Sequence, residues 1–245
     1  MSVQRARSFG AIAEQYDQYR PAPPIGAAAL LGDLHGLEVL EVAAGTGLWS
    51  RFLIECGATL TIVEPDDDMR AVLERQSSQV RSLVGTAESM PVADASFDVV
   101  VVSSAWHWFS QPEATREMAR VLVDHGRLFV LWNGFSRDLE WVNELSKLRD
   151  SNRDPSVRPR SWRAAELSDG HFFDVTELAL DWTWRRTTDE LVSLFGTYSG
   201  VIVRTNDERA VVESKLRAYL ENVTVDGVLD VPMTLRGTVA TRSAR

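Results

Sequence analysis

Thiol is almost missing from this chain: Cys56 is the one cysteine among 245 residues. An internal disulfide is excluded, and so is a zinc cluster built on several thiolates. Cys56 falls in a helix-period stretch among apolar residues, which predicts a buried, inert thiol. Histidine is scarce too. His35, His107, His125 and His171 lack the paired spacing that ligates metal, so no metal site is expected. Positive charge is outweighed, with 26 lysines and arginines against 35 aspartates and glutamates and a formal net charge of −9. Broad binding to phosphate needs the opposite sign, so nucleic acid is not an expected partner. Long apolar runs are absent as well. No window approaches the roughly 20 residues of a membrane span, and no apolar stretch of signal-peptide length follows the N-terminus. These absences predict a cytoplasmic protein with no membrane partner.

What remains is an ordinary globular composition, 44% hydrophobic and 25% charged, of a length that suits one large α/β domain or two very small ones. Short apolar runs alternate with helix-period stretches, which predicts a parallel sheet with helices on both faces. Strands are expected at Leu37–Ala43, Leu60–Val63, Val80–Val84, Phe97–Val102 and Arg127–Trp132. The unbroken Phe-Asp-Val-Val-Val-Val run of the fourth fits a central strand buried on both faces. Helices are expected at Leu48–Cys56, at Met69–Arg75 behind capping carboxylates Asp66–Asp68, and from Pro112 to about Val123. Past Asn133-Gly134 the pattern turns helical through Lys147, and Asp150–Arg163, with two prolines, reads as a loop. A strand over Phe173–Trp184 follows, then a helix capped by Thr187 or Thr188 and reaching about Tyr198. A helix over Asp207–Leu220 and a last strand over Met233–Thr241 complete the chain. No internal repeat is present. The expectation is a single domain, residues 1–245, with elements inside about 134–225 covering the active site.

The most informative stretch is Glu41-Val-Ala-Ala-Gly-Thr-Gly-Leu-Trp49, where the first strand turns into a helix. Small residues let backbone pass close to a ligand, and helix N–H groups point toward it. Alone, such a turn serves packing as often as binding. Three acids add weight. Glu41 ends the first strand, where a carboxylate can attract an ammonium group. Glu64 closes the second strand, placed to hold two ribose hydroxyls. Glu88 follows the third, where an acid can accept a hydrogen bond from an adenine amino group. Each taken singly reads as a solvated surface charge. Together they mark the edge where open α/β sheets bind ligands.

The Glu41–Gly47 loop, the Glu64-Pro-Asp-Asp-Asp-Met69 turn, Gly85–Pro91 and Phe97–Trp108, in this order, resemble the class I S-adenosylmethionine-dependent methyltransferases, particularly the type 11, trans-aconitate methyltransferase-like branch. The resemblance runs from about Phe9 to Trp132. It implies a Rossmann-like, doubly wound, mostly parallel seven-stranded sheet with an antiparallel C-terminal strand. It also implies S-adenosyl-L-methionine as cofactor. Glu41, Ala43, Gly45 and Gly47 would surround its methionine part, Glu64 its ribose, and Met69, Ala87 and Glu88 its adenine. Ala43 departs from the family, standing where many members carry the loop's first glycine. Tyr16 and Arg20 share a helix face and match a segment that the family lays across the cofactor, a lid helix at about 8–20. The alternative is a helix that only packs on the sheet.

After the fourth strand, Ser104 is expected near the cofactor, and Trp106, His107 and Trp108, with Trp132, suit an apolar pocket with one polar handle. His107 can move a proton or orient a substrate oxygen; equally, it can cap a helix or pack between tryptophans. Asp98, inside the strand, reads as a local cap. Arg153, Arg158, Arg160 and Arg163 can recognise an acidic substrate or form a solvated face. The expected activity is methyl transfer to a small molecule, a carboxylate-bearing metabolite in particular. Two rivals stand beside it. Gly45-Thr-Gly-Leu-Trp-Ser50 resembles a dinucleotide fingerprint whose last glycine is serine, which admits a nicotinamide-dependent oxidoreductase. A cofactor-binding protein without turnover is the other.

Overall fold

The computed structural model describes residues 7–136, 140–150, 167 and 170–244. Among them the strands are β1 (Glu38–Val42), β2 (Thr59–Val63), β3 (Arg81–Leu83), β4 (Phe97–Ser103), β5 (Leu122–Phe135), β6 (Phe172–Thr187) and β7 (Val228–Arg242). The helices are α1 (Ala13–Tyr19), α2 (Ala27–Leu31), α3 (Leu48–Glu55), α4 (Asp67–Gln76), α5 (Glu113–Val121), α6 (Glu140–Asp150), α7 (Thr188–Gly196), α8 (Ser199–Ile202) and α9 (Asn206–Val223). One mixed sheet runs in the order β3-β2-β1-β4-β5-β7-β6, with an antiparallel pair at its C-terminal end. The pairs β1·β2, β1·β4, β2·β3 and β4·β5 are parallel, so the ends of β1, β2 and β3 open onto one edge.

Contacts group the described residues into two compact units. The larger holds 22–133, 167, 170–180 and 235–244; the smaller holds 7–21, 134–136, 140–150 and 181–234. In the larger unit the sheet is coated on both faces. Val100 and Val102 of β4 join Leu40, Val42, Met118 and Val130 in one cluster, while Val99 and Val101 join Val39, Ile62, Leu53 and Phe129 in another. All four valines are fully buried. Burying one such side chain contributes about 1.5–3 kcal/mol, so β4 is a major source of the unit's stability. In the smaller unit α7 and α9 each start with a capping box, Thr187 with Glu190 and Thr205 with Glu208, which satisfies N-terminal donors in both directions. Their apolar faces meet through Leu191, Phe195, Val212 and Leu216.

Some expected boundaries move. Asn133-Gly134 continues β5 to Phe135, and the helix begins only at Glu140, because a ladder partner overrides the local turn signal of an Asn-Gly pair. The helix expected to reach Tyr198 stops at Gly196, and Tyr198 caps the short α8. Cys56 is half-buried at the C-cap of α3 rather than enclosed. The expected loop at Asp150–Arg163, with its four arginines, lies outside the described residues after Asp150 closes α6. The short helices α2 and α8 were not anticipated. Among the described residues no helix is long and apolar enough to cross a membrane, and no cluster of three or more His, Cys, Asp or Glu could hold a metal ion.

Gly237 of β7 marks the tightest approach in the larger unit. A Cβ there would overlap the Val130 carbonyl oxygen of β5, and backbone cannot yield as a flexible side chain does. We predict that Gly237→Ala costs about 3 kcal/mol, since overpacking against backbone sits at the upper end of its usual range. Urea unfolding measures this as a lower midpoint at unchanged slope; a midpoint within error of the parent would contradict it.

Candidate functional site

The loop after β1 is built from left-handed turns. Ala43 has φ 56°, Gly45 φ 60° and Gly47 φ 84°. The Ala43 N–H donates to the Val63 carbonyl at 2.8 Å, which carries the β1·β2 pairing one residue past the strand. Gly47 caps α3 and needs its missing side chain, because a Cβ would lie 2.8 Å from Leu73 Cγ on α4. The terminal methyl of Met69, also on α4, lies against Gly45. Between the glycines Thr46 is buried, and its hydroxyl has no hydrogen-bond partner among the described residues.

Two carboxylates flank this loop. Glu41 on β1 is 2% exposed and accepts a 2.5 Å hydrogen bond from Ser50 Oγ on α3. Burial raises its pKa to about 8, with the nearby Glu64 charge adding to the shift while the Ser50 bond opposes it. Glu64, at the end of β2, is 6% exposed. Its Oε2 accepts from Gly45 N–H at 2.8 Å and its Oε1 from Asp66 N–H at 2.9 Å. Burial raises its pKa to about 7, moderated by those two backbone donors. Asp66 in turn caps α4, accepting from the N–H groups of Asp68 and Met69.

The third acid, Glu88, is half-buried in the turn after β3 and accepts from Ser110 N–H at 2.7 Å. Ala87 beside it is buried. After β4, Ser104 turns back with φ 56°, and its N–H donates to the Leu131 carbonyl at 2.8 Å. A single 3-10 turn, Trp106–Trp108, follows. Trp106 is buried, Trp108 and Trp132 pack half-buried on the same cluster, and the His107 and Trp108 rings sit 4.8 Å apart. Asp98 accepts from Glu38 N–H at the start of β1, 60 residues away, so it ties two strands together instead of capping locally. Tyr16 and Arg20 belong to the smaller unit. There the Arg20 guanidinium lies over the rings of Tyr16 (4.8 Å) and Tyr198 (4.1 Å) and donates to Thr197 Oγ1 and to its carbonyl oxygen.

At the ends of β1 and β2 the larger unit therefore gathers two carboxylates kept from water, a loop stripped of side chains and an orphaned hydroxyl. That donor set fits a polar ligand carrying positive charge and hydroxyl groups. A family model described as a methyltransferase domain matches residues 40–130. An uncharacterised methyltransferase of Mycobacterium tuberculosis is 34% identical over 213 residues, 87% of this chain and 85% of its own length. The chain belongs to the class I S-adenosylmethionine-dependent methyltransferases. Solved structures agree in fold. One from Anaeromyxobacter dehalogenans, assigned to the type II methyltransferases, superimposes with a TM-score of 0.67 at 20% identity, covering 92% of this chain and 98% of that one. Another is a Haemonchus contortus phosphoethanolamine N-methyltransferase in complex with phosphomonomethylethanolamine and S-adenosylhomocysteine. Its TM-score is 0.58 at 15% identity, covering 99% of this chain and 59% of that one.

As a methyltransferase, the chain displaces the nicotinamide reading, and Ser50 shows why the fingerprint failed at its last position. Serine there is fully buried and holds Glu41, a task glycine cannot perform. Ser50, Thr46 and the N–H groups of Asp66 and Ser110 were not singled out from sequence. For Ser50 a signal existed: a polar residue on the buried face of an otherwise apolar helix.

Both raised carboxyls keep protons in the folded chain where an unfolded one, near 4.5, releases them. Between those limits the native state binds more protons, so stability falls as pH rises from about 5 to 8. The melting temperature of the ligand-free protein should drop by about 10 °C or more across that window, and Glu41→Gln should flatten the slope. A rise with pH would sink this account. Separately, Ala43→Gly should stabilise by about 0.5–1 kcal/mol, because the left-handed penalty of about 1–2 kcal/mol exceeds the added chain entropy of glycine. Denaturant titration decides the sign.

Proposed function

We propose that this chain methylates a small molecule, with carboxylate-bearing metabolites as the preferred acceptor class, and that it sits in the trans-aconitate methyltransferase-like branch. The observation that carries the cofactor half of this reading is the Glu64 carboxylate, buried between two loops and held by Gly45 and Asp66 N–H groups. Each of its oxygens keeps a lone pair for a ribose hydroxyl. Glu41 would face the ammonium end of S-adenosylmethionine, beside Ala43, Gly45 and Gly47. Met69 and Ala87 would pack on its adenine, Glu88 would take the amino edge, and Ser104 would border the same site. Tyr16 and Arg20 are assigned to the cofactor by resemblance alone. When bound, the cofactor supplies an electrophilic methyl group on a sulfonium.

On the acceptor side the chain offers Trp106, Trp108 and Trp132 as apolar wall and His107 as polar handle. A carboxylate acceptor is already ionised near neutral pH, so His107 would only orient it; a phenol, amine or carbon acid would call on it as a base. Alignment and exclusion of water are then the main work asked of the protein. Support for a small acceptor comes from the Haemonchus neighbour, whose complex holds phosphomonomethylethanolamine.

Isothermal titration with S-adenosylmethionine and S-adenosylhomocysteine, beside NAD and NADP, tests the cofactor half. Saturable binding of the first pair is expected, about tenfold or more weaker in Glu64→Ala. Binding confined to the nicotinamide nucleotides would overturn it. A methyl-transfer screen over dicarboxylates, tricarboxylates, phenols and amines tests the acceptor half. Turnover restricted to amines would remove the carboxylate class, and tight cofactor binding without turnover of any acceptor would favour the non-catalytic alternative.

A further inference from the structure

Arg120 and Glu117, one turn apart on α5, grip the irregular segment between β3 and β4. The pair is bidentate, with Arg120 Nε to Glu117 Oε2 at 2.7 Å and Nη2 to Oε1 at 2.8 Å. Arg120 Nη2 also donates to the Met90 carbonyl at 3.1 Å, and Nη1 to the Val92 carbonyl at 2.9 Å and Asp94 Oδ1 at 2.7 Å. Glu117 Oε1 accepts from Met90 N–H at 2.7 Å, so Met90 is held at both its donor and its acceptor. The backbone of α5 adds to this, with Ala95 N–H donating to the Arg120 carbonyl and Ser96 N–H to that of Val121. Arg120 holds the Glu117 carboxyl below the usual range for glutamate, as charge-assisted bonds do.

The gripped segment continues directly from the turn that carries Glu88. Thr86 and Ser89 exchange N–H···O bonds across that turn, at 3.2 and 3.1 Å. The turn doubles back so closely that a Cβ on Gly85 would lie 2.8 Å from Pro91 Cδ. Ala87 and Met90 are each 4% exposed and share one apolar cluster with Ala114 and Met118 of α5. Glu88 itself is tied to Ser110 N–H, just before α5. One helix and its leading loop thus hold the turn from two sides, at Glu88 and at Met90. Without such ties a segment free of helix and strand opens readily, and an error of an ångström at a recognising group is costly.

We propose that Arg120, with Glu117, is a positioning residue that sets how well Glu88 recognises the exocyclic amino group of the cofactor's purine. It acts through Met90 rather than by contact with the cofactor. The inference rests on the adenine-edge assignment of Glu88 made above.

The test is a double-mutant cycle read as base preference. Affinities are measured by titration for S-adenosylhomocysteine and for its 6-deamino analogue, in which hydrogen replaces the amino group. The parent should prefer the amino form by about tenfold, the range for a hydrogen bond to a charged group. Arg120→Gln should cut that preference to about threefold or less, with Arg120→Lys in between. In a Glu88→Ala background, where the preference is already gone, Arg120→Gln should change nothing further. Asp94→Asn, at an exposed position, gives the same comparison with a smaller shift if Arg120→Gln does not fold. A lower melting temperature with the preference intact would make Arg120 merely structural and overturn the inference. A parent that binds both ligands equally would overturn the Glu88 assignment and the inference with it, and a parent that binds neither would overturn the cofactor reading itself.

Discussion

The hydrogen bonds from Gly45 and Asp66 to the two oxygens of Glu64 tie the loop after β1 to the turn after β2, and the local architecture depends on that tie. Asp66 uses its own side chain to start α4. α4 then returns Met69 to Gly45 and Leu73 to Gly47, which closes a circuit through both loops. Each step needs the one before it. A side chain on Gly47 would push Leu73 aside, and a neutral, shorter residue at 64 would take the acceptor from two half-buried backbone donors. Buried donors left without an acceptor cost about 1–3 kcal/mol each, and half-buried ones less.

The same circuit is expensive for the fold. A carboxyl shielded from water shifts toward its protonated form, and the rise at Glu41 and Glu64 records that penalty. Ala43 adds the strain of a left-handed alanine, and the Thr46 hydroxyl is left without a partner among the described residues. Such departures occur elsewhere in the chain as well, but at this loop a left-handed alanine and an unpartnered hydroxyl stand beside two buried carboxyls. The neighbouring β4, by contrast, carries four fully buried valines in regular parallel pairing with β1. Natural sequences tend to break local rules where a ligand is expected to repair them.

That contrast also explains what could be read in advance. The valine run of β4, the Asp66 cap and the Thr187 capping signal are local patterns, and each appears where periodicity or capping chemistry puts it. The acids at the ends of β1, β2 and β3 were legible because strand ends could be counted. What donates to those acids was not legible. Ser50 lies nine residues from Glu41 and Gly45 nineteen from Glu64, distances that only the folded register closes. Glu117 and Arg120 stand three residues apart on one helix, and nothing in that spacing announces that the guanidinium reaches Met90, Val92 and Asp94. Ala43 hid its left-handed φ because alanine carries no turn signal, and β5 ran through Asn133-Gly134 because its neighbours in the sheet outweighed a two-residue turn preference.

The two carboxylates at the loop are not equivalent, and their difference bears on how they share work. Glu64 has a backbone donor on each oxygen, whereas Glu41 has, among the described residues, a serine hydroxyl and is the more enclosed of the two. Donors favour the charged form, and enclosure opposes it. Glu64 therefore ionises first as pH rises, and its charge then makes ionisation of Glu41 harder. A neutral hydroxyl-bearing group asks only for acceptors and is served by Glu64 in either state. A cation asks for an unpaired negative charge nearby, which is what Glu41 lacks until the cation arrives. Under the proposed reading, the ammonium end of the cofactor supplies the countercharge that lets Glu41 release its proton. Ligand binding and carboxyl ionisation are then one coupled event, and the price of burying Glu41 is recovered only in the complex.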